Sequence, residues 1–316
     1  MNIINKWIKY LYIIFIVILI LLIFIFIKGN IATINKTISN VSFIDFLVLS
    51  ILTIITVMLN GNRIKILSRY FKIKLKFSEW FGLSVTTTMS NYLMPFGLGT
   101  SLRGIYLKKK HNLSYKSFIA TLGTSYITSF LIYGLLGIII LLFCYIKYNF
   151  FNYLIFSIFS IMLILDIIII LISPKINYTK YKFLNYFIET INNWGLMKKD
   201  WRLLTKLALN DFFVLIVYSL RIYFIFYVLS NSIPFTFAIL IGLITIVSII
   251  VGLTPAAIGI KEALIIYSTA IIGKNLNVGI GVALIDRGVA LIYVFILGVI
   301  YSYVLIKKLR EKSHNL

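Results

Sequence analysis

Long apolar runs alternate with short polar segments rich in lysine and arginine along the whole chain. Tyr10–Ile27, Phe43–Leu59, Ser117–Ile146, Tyr153–Ser173, Leu207–Leu229 and Val278–Ile306 each reach the ~17–25 residues that a helix needs to cross a hydrocarbon core. They are apolar throughout, without the period-two alternation of barrel strands. The pattern predicts an all-α polytopic membrane protein with about six full spans. Two further stretches are apolar but interrupted. Trp80–Leu98 is rich in Ser, Thr and Gly and is broken by Asn91, Pro95, Gly97 and Gly99. Phe235–Leu253 and Ala263–Ile272 flank the segment Gly252–Glu262, which reads G-L-T-P-A-A-I-G-I-K-E.

Composition agrees with this picture. Of 316 residues 61% are hydrophobic, and the mean hydropathy is +1.01. The longest polar interruption, Pro174–Lys206, is too short for an independent domain. The chain therefore reads as one membrane domain, 1–316, with a first half at 1–146 and a second at 153–306. Lys6 and Lys9 before the first apolar run resemble the start of a secretory leader. The run is long and no small-x-small cleavage site follows, so an uncleaved span is expected. Cys144 is the only cysteine, and His111 and His314 lie in basic segments, so neither a disulfide framework nor metal-ligand spacing is present. No cofactor is implied.

The formal net charge of +22 changes the reading only through its distribution. Arg63, Lys65, Arg69, Lys72, Lys74 and Lys76 follow Asn60-Gly61-Asn62 and form one short loop, either a topology signal or a contact for anionic lipid. A second basic cluster begins at Arg103, a third follows Pro174 and a fourth forms the C-terminal tail. If both interrupted stretches are re-entrant hairpins, at 79–103 and 235–273, then 24 of the 31 Lys and Arg fall on one side. Only Lys28, Lys36, Lys147 and Lys274 fall on the other. The bias predicts a multi-pass protein of the cell (plasma or inner) membrane with both termini in the cytoplasm. It also removes any need for a nucleic-acid partner.

Arg221, Lys261 and Arg287 remain at membrane depth, where a charge costs on the order of 3 kcal/mol on insertion scales. Each hairpin has a Pro, a Gly four residues on, and a charge soon after: Pro95, Gly99 and Arg103, then Pro255, Gly259 and Lys261. Paired interruptions in two halves point to a transporter site near the midplane, and their opposite sense of entry is what an inverted repeat gives. A helix restarting after each break presents free N–H groups and a positive dipole end, which favour an anion. Thr100 or Ser101 could cap the first. Arg103, Arg221, Lys261 and Arg287 add charge suited to a phosphate or phosphodiester. Each basic residue has a structural alternative, such as Arg287 with Glu262 or Arg221 with an acid on another helix. Asp166 and Asp211 are either relay groups or partners of loop lysines. Asp286 must find its own partner, because Arg287 beside it points elsewhere.

Asn91…Pro95-x-x-x-Gly99-x-x-x-Arg103 resembles the motif N…P-x-x-x-G-E-x-x-R of the flippase-like transmembrane region of lysylphosphatidylglycerol synthases. Pro255-Ala-Ala-Ile-Gly259-Ile-Lys-Glu262 is similar to its P-G-G-x-G-x-x-E, and Leu284-Ile-Asp-Arg287 to its closing L-x-x-R. Thr100 stands where that family usually has Glu. Ala256 and Ala257 stand for glycines, and Thr124–Ser129 lacks the Arg and Asp often found there. The sequence ends at Leu316 without the soluble aminoacyl-transferase domain, so it is not expected to make lysyl-lipid by itself.

The paired breaks, the midplane basic residues and the resemblance together imply a flippase-like transporter of an anionic phospholipid or lipid-linked glycan, with substrate contacts among Asn91, Pro95, Gly99, Thr100, Arg103, Arg221, Pro255, Gly259, Lys261, Glu262 and Arg287. A non-transporting partner of a cell-envelope biosynthetic enzyme is the alternative. A polyprenyl-phosphate glycosyltransferase is disfavoured, because the nine Asp and Glu include no D-x-D and no catalytic constellation.

Overall fold

A computed structural model describes residues 41–93, 99–172, 176–181, 197–251 and 254–314, with isolated positions at 39, 185, 188, 192 and 194. The expected first span Tyr10–Ile27 lies outside the described residues, as do Pro95, Gly97, Pro174 and Gly252. Among the described residues the chain forms nine α-helices: α1 (Phe43–Tyr70), α2 (Phe77–Leu93), α3 (Gly99–His111), α4 (Tyr115–Tyr148), α5 (Tyr153–Ile172), α6 (Trp201–Val228), α7 (Phe235–Val251), α8 (Ile260–Ile271) and α9 (Leu276–His314). One 3-10 turn, Pro255–Ala257, lies between α7 and α8. The protein is an all-α polytopic membrane protein. α1, α4, α5, α6 and α9 are each long and apolar enough to cross a bilayer. α5 shows why a bilayer is needed, since Ile158, Ile161, Leu165 and Ile168 all face outward.

Local sequence sets several ends. Ser42 and Asp45 form a reciprocal capping box at α1. Ser114 accepts from the Ser117 N–H at α4, and Asp200 from the Leu203 N–H at α6. Asn149 takes the left-handed conformation that closes α4.

One boundary departs from the sequence reading. Asn60-Gly61-Asn62 does not end the second span, because α1 runs on to Tyr70. Gly61, Ile64, Leu67 and Ser68 continue its buried stripe. Arg63, Lys65 and Arg69 are therefore helical, and Arg63 turns into the bundle rather than belonging to a basic loop.

Both interrupted segments fold back on themselves. Glu79 at the start of α2 accepts from Tyr106 Oη at 2.9 Å and lies 3.0 Å from His111 Nε2, so the far end of α3 returns to where α2 began. The returning helix runs on to His111, well past Arg103. The C-terminal part of α9 lies at the same end of the bundle: Lys110 donates to the Lys308 carbonyl at 2.7 Å, and Lys308 reaches Ser78. This is the basic end. The α7–α8 pair starts and finishes at the opposite end. There Phe237 packs on Tyr148 and Phe150, and Tyr267 lies 3.5 Å from Asn152. The two hairpins thus enter from opposite ends, and α2 of the first packs on the Pro255–Ala257 turn of the second.

Candidate functional site

The sharpest feature is a buried ionic network around Asp286 on α9. Arg221 of α6 pairs with Asp286 Oδ1, and Lys261, in the first turn of α8, pairs with Oδ2. All three are almost fully buried. Tyr218 Oη donates to Asp286 Oδ2 at 3.3 Å, and Arg221 Nη1 donates to Thr53 Oγ1 of α1 at 3.3 Å. The Tyr218 ring lies under both cations, 4.7 Å from the Arg221 guanidinium carbon and 5.5 Å from Lys261 Nζ. Two cations share one carboxylate here, so the cluster leaves positive charge to spare.

Arg287 is one residue on and, about 100° around the helix, does a different job. Its Nε pairs with Glu262, Nη1 donates to Tyr92 Oη at 2.9 Å and to the Ala256 carbonyl at 3.1 Å, and Nη2 to the Ala257 carbonyl at 3.5 Å. One guanidinium thus ties the α7–α8 break to α9 and to α2. The structural alternative for Arg287, a pair with Glu262, is what the chain adopts. The break itself is sharp: Ala256, Ala257 and Gly259 all have positive φ, at 46°, 54° and 82°. Glu262 Oε2 accepts from the Gly259 N–H at 2.7 Å. The start of α8 is therefore capped by its own carboxylate, which satisfies the Gly259 N–H.

In the first hairpin Thr100 and Ser101 are helical residues of α3 rather than caps before it. A Cβ at Gly99 would sit 2.6 Å from the Asn91 nitrogen and 2.7 Å from the Thr87 carbonyl. Asn91 and Gly99 thus mark close backbone packing of α2 on α3. Arg103 lies over the Phe118 ring at 5.5 Å, and no carboxylate lies within ion-pair distance of it among the described residues.

A second ionic layer was not anticipated. Arg63 of α1 pairs with buried Asp211 of α6. Ser129 of α4 donates to Asp211 Oδ2 at 2.8 Å, and Arg63 Nη1 donates to Ser125 Oγ at 3.4 Å. The uncharged Thr124–Ser129 stretch thus receives a charged pair from other helices. Among the described residues Asp211 pairs with Arg63 and not with a loop lysine, and Asp166 keeps Oδ2 without a hydrogen-bond partner. Asp211 and Arg221 stand ten residues apart on α6, so the two layers are about 15 Å apart.

Between the layers lies a cavity of about 240 Å³. Arg63, Arg221, Lys261 and Arg287 line it, with Asn91 and Tyr92 from α2, while Asp211, Asp286 and Glu262 stand behind these cations rather than on the wall. Of the expected residues, the structure gathers Asn91, Arg221, Lys261 and Arg287 on this wall, with Glu262 behind it and Pro255 and Gly259 in the adjoining break. Thr100 and Arg103 do not line it. Arg63, Tyr92 and Tyr218 are additions. For Arg63 the available signal was the Gly61, Ile64, Leu67 spacing, which continues a helix.

Two hairpins of opposite sense around a cationic cavity define a polytopic helical membrane protein with a charged site buried between its spans. The chain matches the lysylphosphatidylglycerol synthase TM region over residues 11–298, and it belongs to that family. No curated protein and no solved structure matches it.

Proposed function

We propose that the protein is a flippase-like transporter that moves an anionic phospholipid or lipid-linked glycan between leaflets. The observation that carries this reading is the wall of the central cavity: four basic side chains and no carboxylate. A phosphodiester is the matching guest, because Arg221 and Lys261 share the single carboxylate of Asp286 and so keep positive charge for a second anion. At about 240 Å³ the cavity holds a small head group, and the acyl chains stay in the bilayer beside α7, where Ile249 is exposed. The protein contributes charge and passage rather than a covalent step. It resides in the cell membrane with the basic end in the cytoplasm, as the distribution of lysine and arginine favours.

Reconstituted liposomes test the reading. Head-group accessibility of fluorescent phosphatidylglycerol and of lipid-linked sugars is followed with an external quencher. Protein-dependent flipping of an anionic lipid is expected, with a loss of about tenfold or more in Lys261→Gln. Equal rates in Lys261→Gln and the native protein would overturn the site. Flipping of none of these lipids would favour a non-transporting partner of an envelope enzyme.

A further inference from the structure

A second, larger cavity of about 520 Å³ lies between α1 and α6 at the basic end, outside the central site. Two facing stripes build it. On α6, Arg202, Lys206, Leu209 and Phe213 follow one another at helical spacing, and on α1 the sequence is Leu59, Asn62, Ile66 and Arg69. The helices are antiparallel, so the stripes grade together. Arg69, Arg202 and Lys206 form a basic rim. Leu59, Leu209 and Phe213 form an apolar floor that leads toward the bilayer centre. Leu209 and Phe213 are each about half exposed, at 53% and 52%. Asp200, the single acid on the wall, already caps α6.

The junction between rim and floor carries an unmet polar group. Asn210 lines the cavity and is 3% exposed. Its Oδ1 accepts from Asn62 Nδ2 at 2.9 Å, but its own Nδ2 has no hydrogen-bond partner. Asn62 and Asn210 immediately precede Arg63 and Asp211, so this amide pair is also the partition between the outer groove and the ionic layer behind it.

We propose that this groove is a docking site for one anionic phospholipid of the leaflet at the basic end. The phosphodiester sits among Arg69, Arg202 and Lys206, the unsatisfied Asn210 Nδ2 donates to a head-group oxygen, and one acyl chain runs over Leu209 and Phe213. A cationic rim continuing into an apolar floor, about 16 Å along α6 from Arg202 to Phe213, is the complement of a phospholipid and not of a soluble anion. Its role as a loading station for the central cavity rests on the translocase reading; the binding site itself does not.

The test uses the full chain purified in detergent, with native mass spectrometry and a fluorescent phosphatidylglycerol titration. The native protein should bind phosphatidylglycerol in preference to phosphatidylcholine, and soluble glycerol phosphate should not compete. Arg69→Gln with Arg202→Gln and Lys206→Gln should weaken phosphatidylglycerol about tenfold or more. The charge-preserving set, Arg69→Lys, Arg202→Lys and Lys206→Arg, should retain it, which separates loss of charge from misfolding. Undiminished binding in the neutral set, or full competition by glycerol phosphate, overturns the dock. Binding intact with no flipping in any variant would overturn the translocase reading alone.

Discussion

Ala256 and Ala257 adopt φ of 46° and 54°, a region that costs an L-residue with a Cβ about 1–2 kcal/mol. The strain is held because both carbonyls face the Arg287 guanidinium. Glycine would remove the strain but regain about 0.4–1 kcal/mol of unfolded-chain entropy. Each of Ala256→Gly and Ala257→Gly should therefore raise stability by up to about 1 kcal/mol, seen as a higher Tm in detergent. A lower Tm in both would mean that the turn is not strained by its Cβ atoms. The break was legible in the sequence from Pro255 and Gly259, and the charges from Lys261, Glu262, Asp286 and Arg287. Their pairing was legible only in part. Asp286 and Arg287 are neighbours that diverge around one helix, and only the packing of α6, α8 and α9 decides that Arg221 and Lys261 go to the first and Glu262 to the second.

At the scale of elements, long uniform runs made α4, α5, α6 and α9 readable to within a few residues at most ends. α1 was not, because Asn60-Gly61-Asn62 has loop composition inside a helix. The glycine serves contact instead of a turn. A Cβ at position 61 would sit 2.6 Å from the Trp80 ring and 2.9 Å from the Trp80 carbonyl, so α2 lies directly on it. The carbonyl belongs to a helix and cannot move aside. Gly61→Ala should therefore destabilise the protein by about 1–3 kcal/mol despite the better helix propensity of alanine. The measurement is thermal unfolding followed by aggregation of detergent-solubilised protein. If position 61 were in a loop, Ala would be tolerated, so an unchanged Tm would restore the shorter span and remove the helical setting of Arg63.

Across the whole molecule, two ionic layers about 15 Å apart bracket one cavity, one paired within the second half and one that joins the two halves. Arg221, Lys261 and Asp286 join α6, α8 and α9, while Arg63 and Asp211 join α1 to α6. A passage for a head group must open one layer at a time, which is feasible only if each layer can be unpaired without losing the fold. The lower layer tests this, because it is one pair with known polar neighbours. Asp211→Asn leaves Arg63 facing a neutral amide, and Arg63→Gln leaves Asp211 buried with only Ser129 to donate to its carboxylate. Breaking a buried pair from one side costs about 3–5 kcal/mol, whereas removing both charges together costs far less. Either single variant should thus lower Tm clearly, and Arg63→Gln with Asp211→Asn should recover most of the loss in a double-mutant cycle. Additive losses would mean that the two side chains act separately, and that this layer is a pair of independent contacts rather than a closure that a competing anion can release.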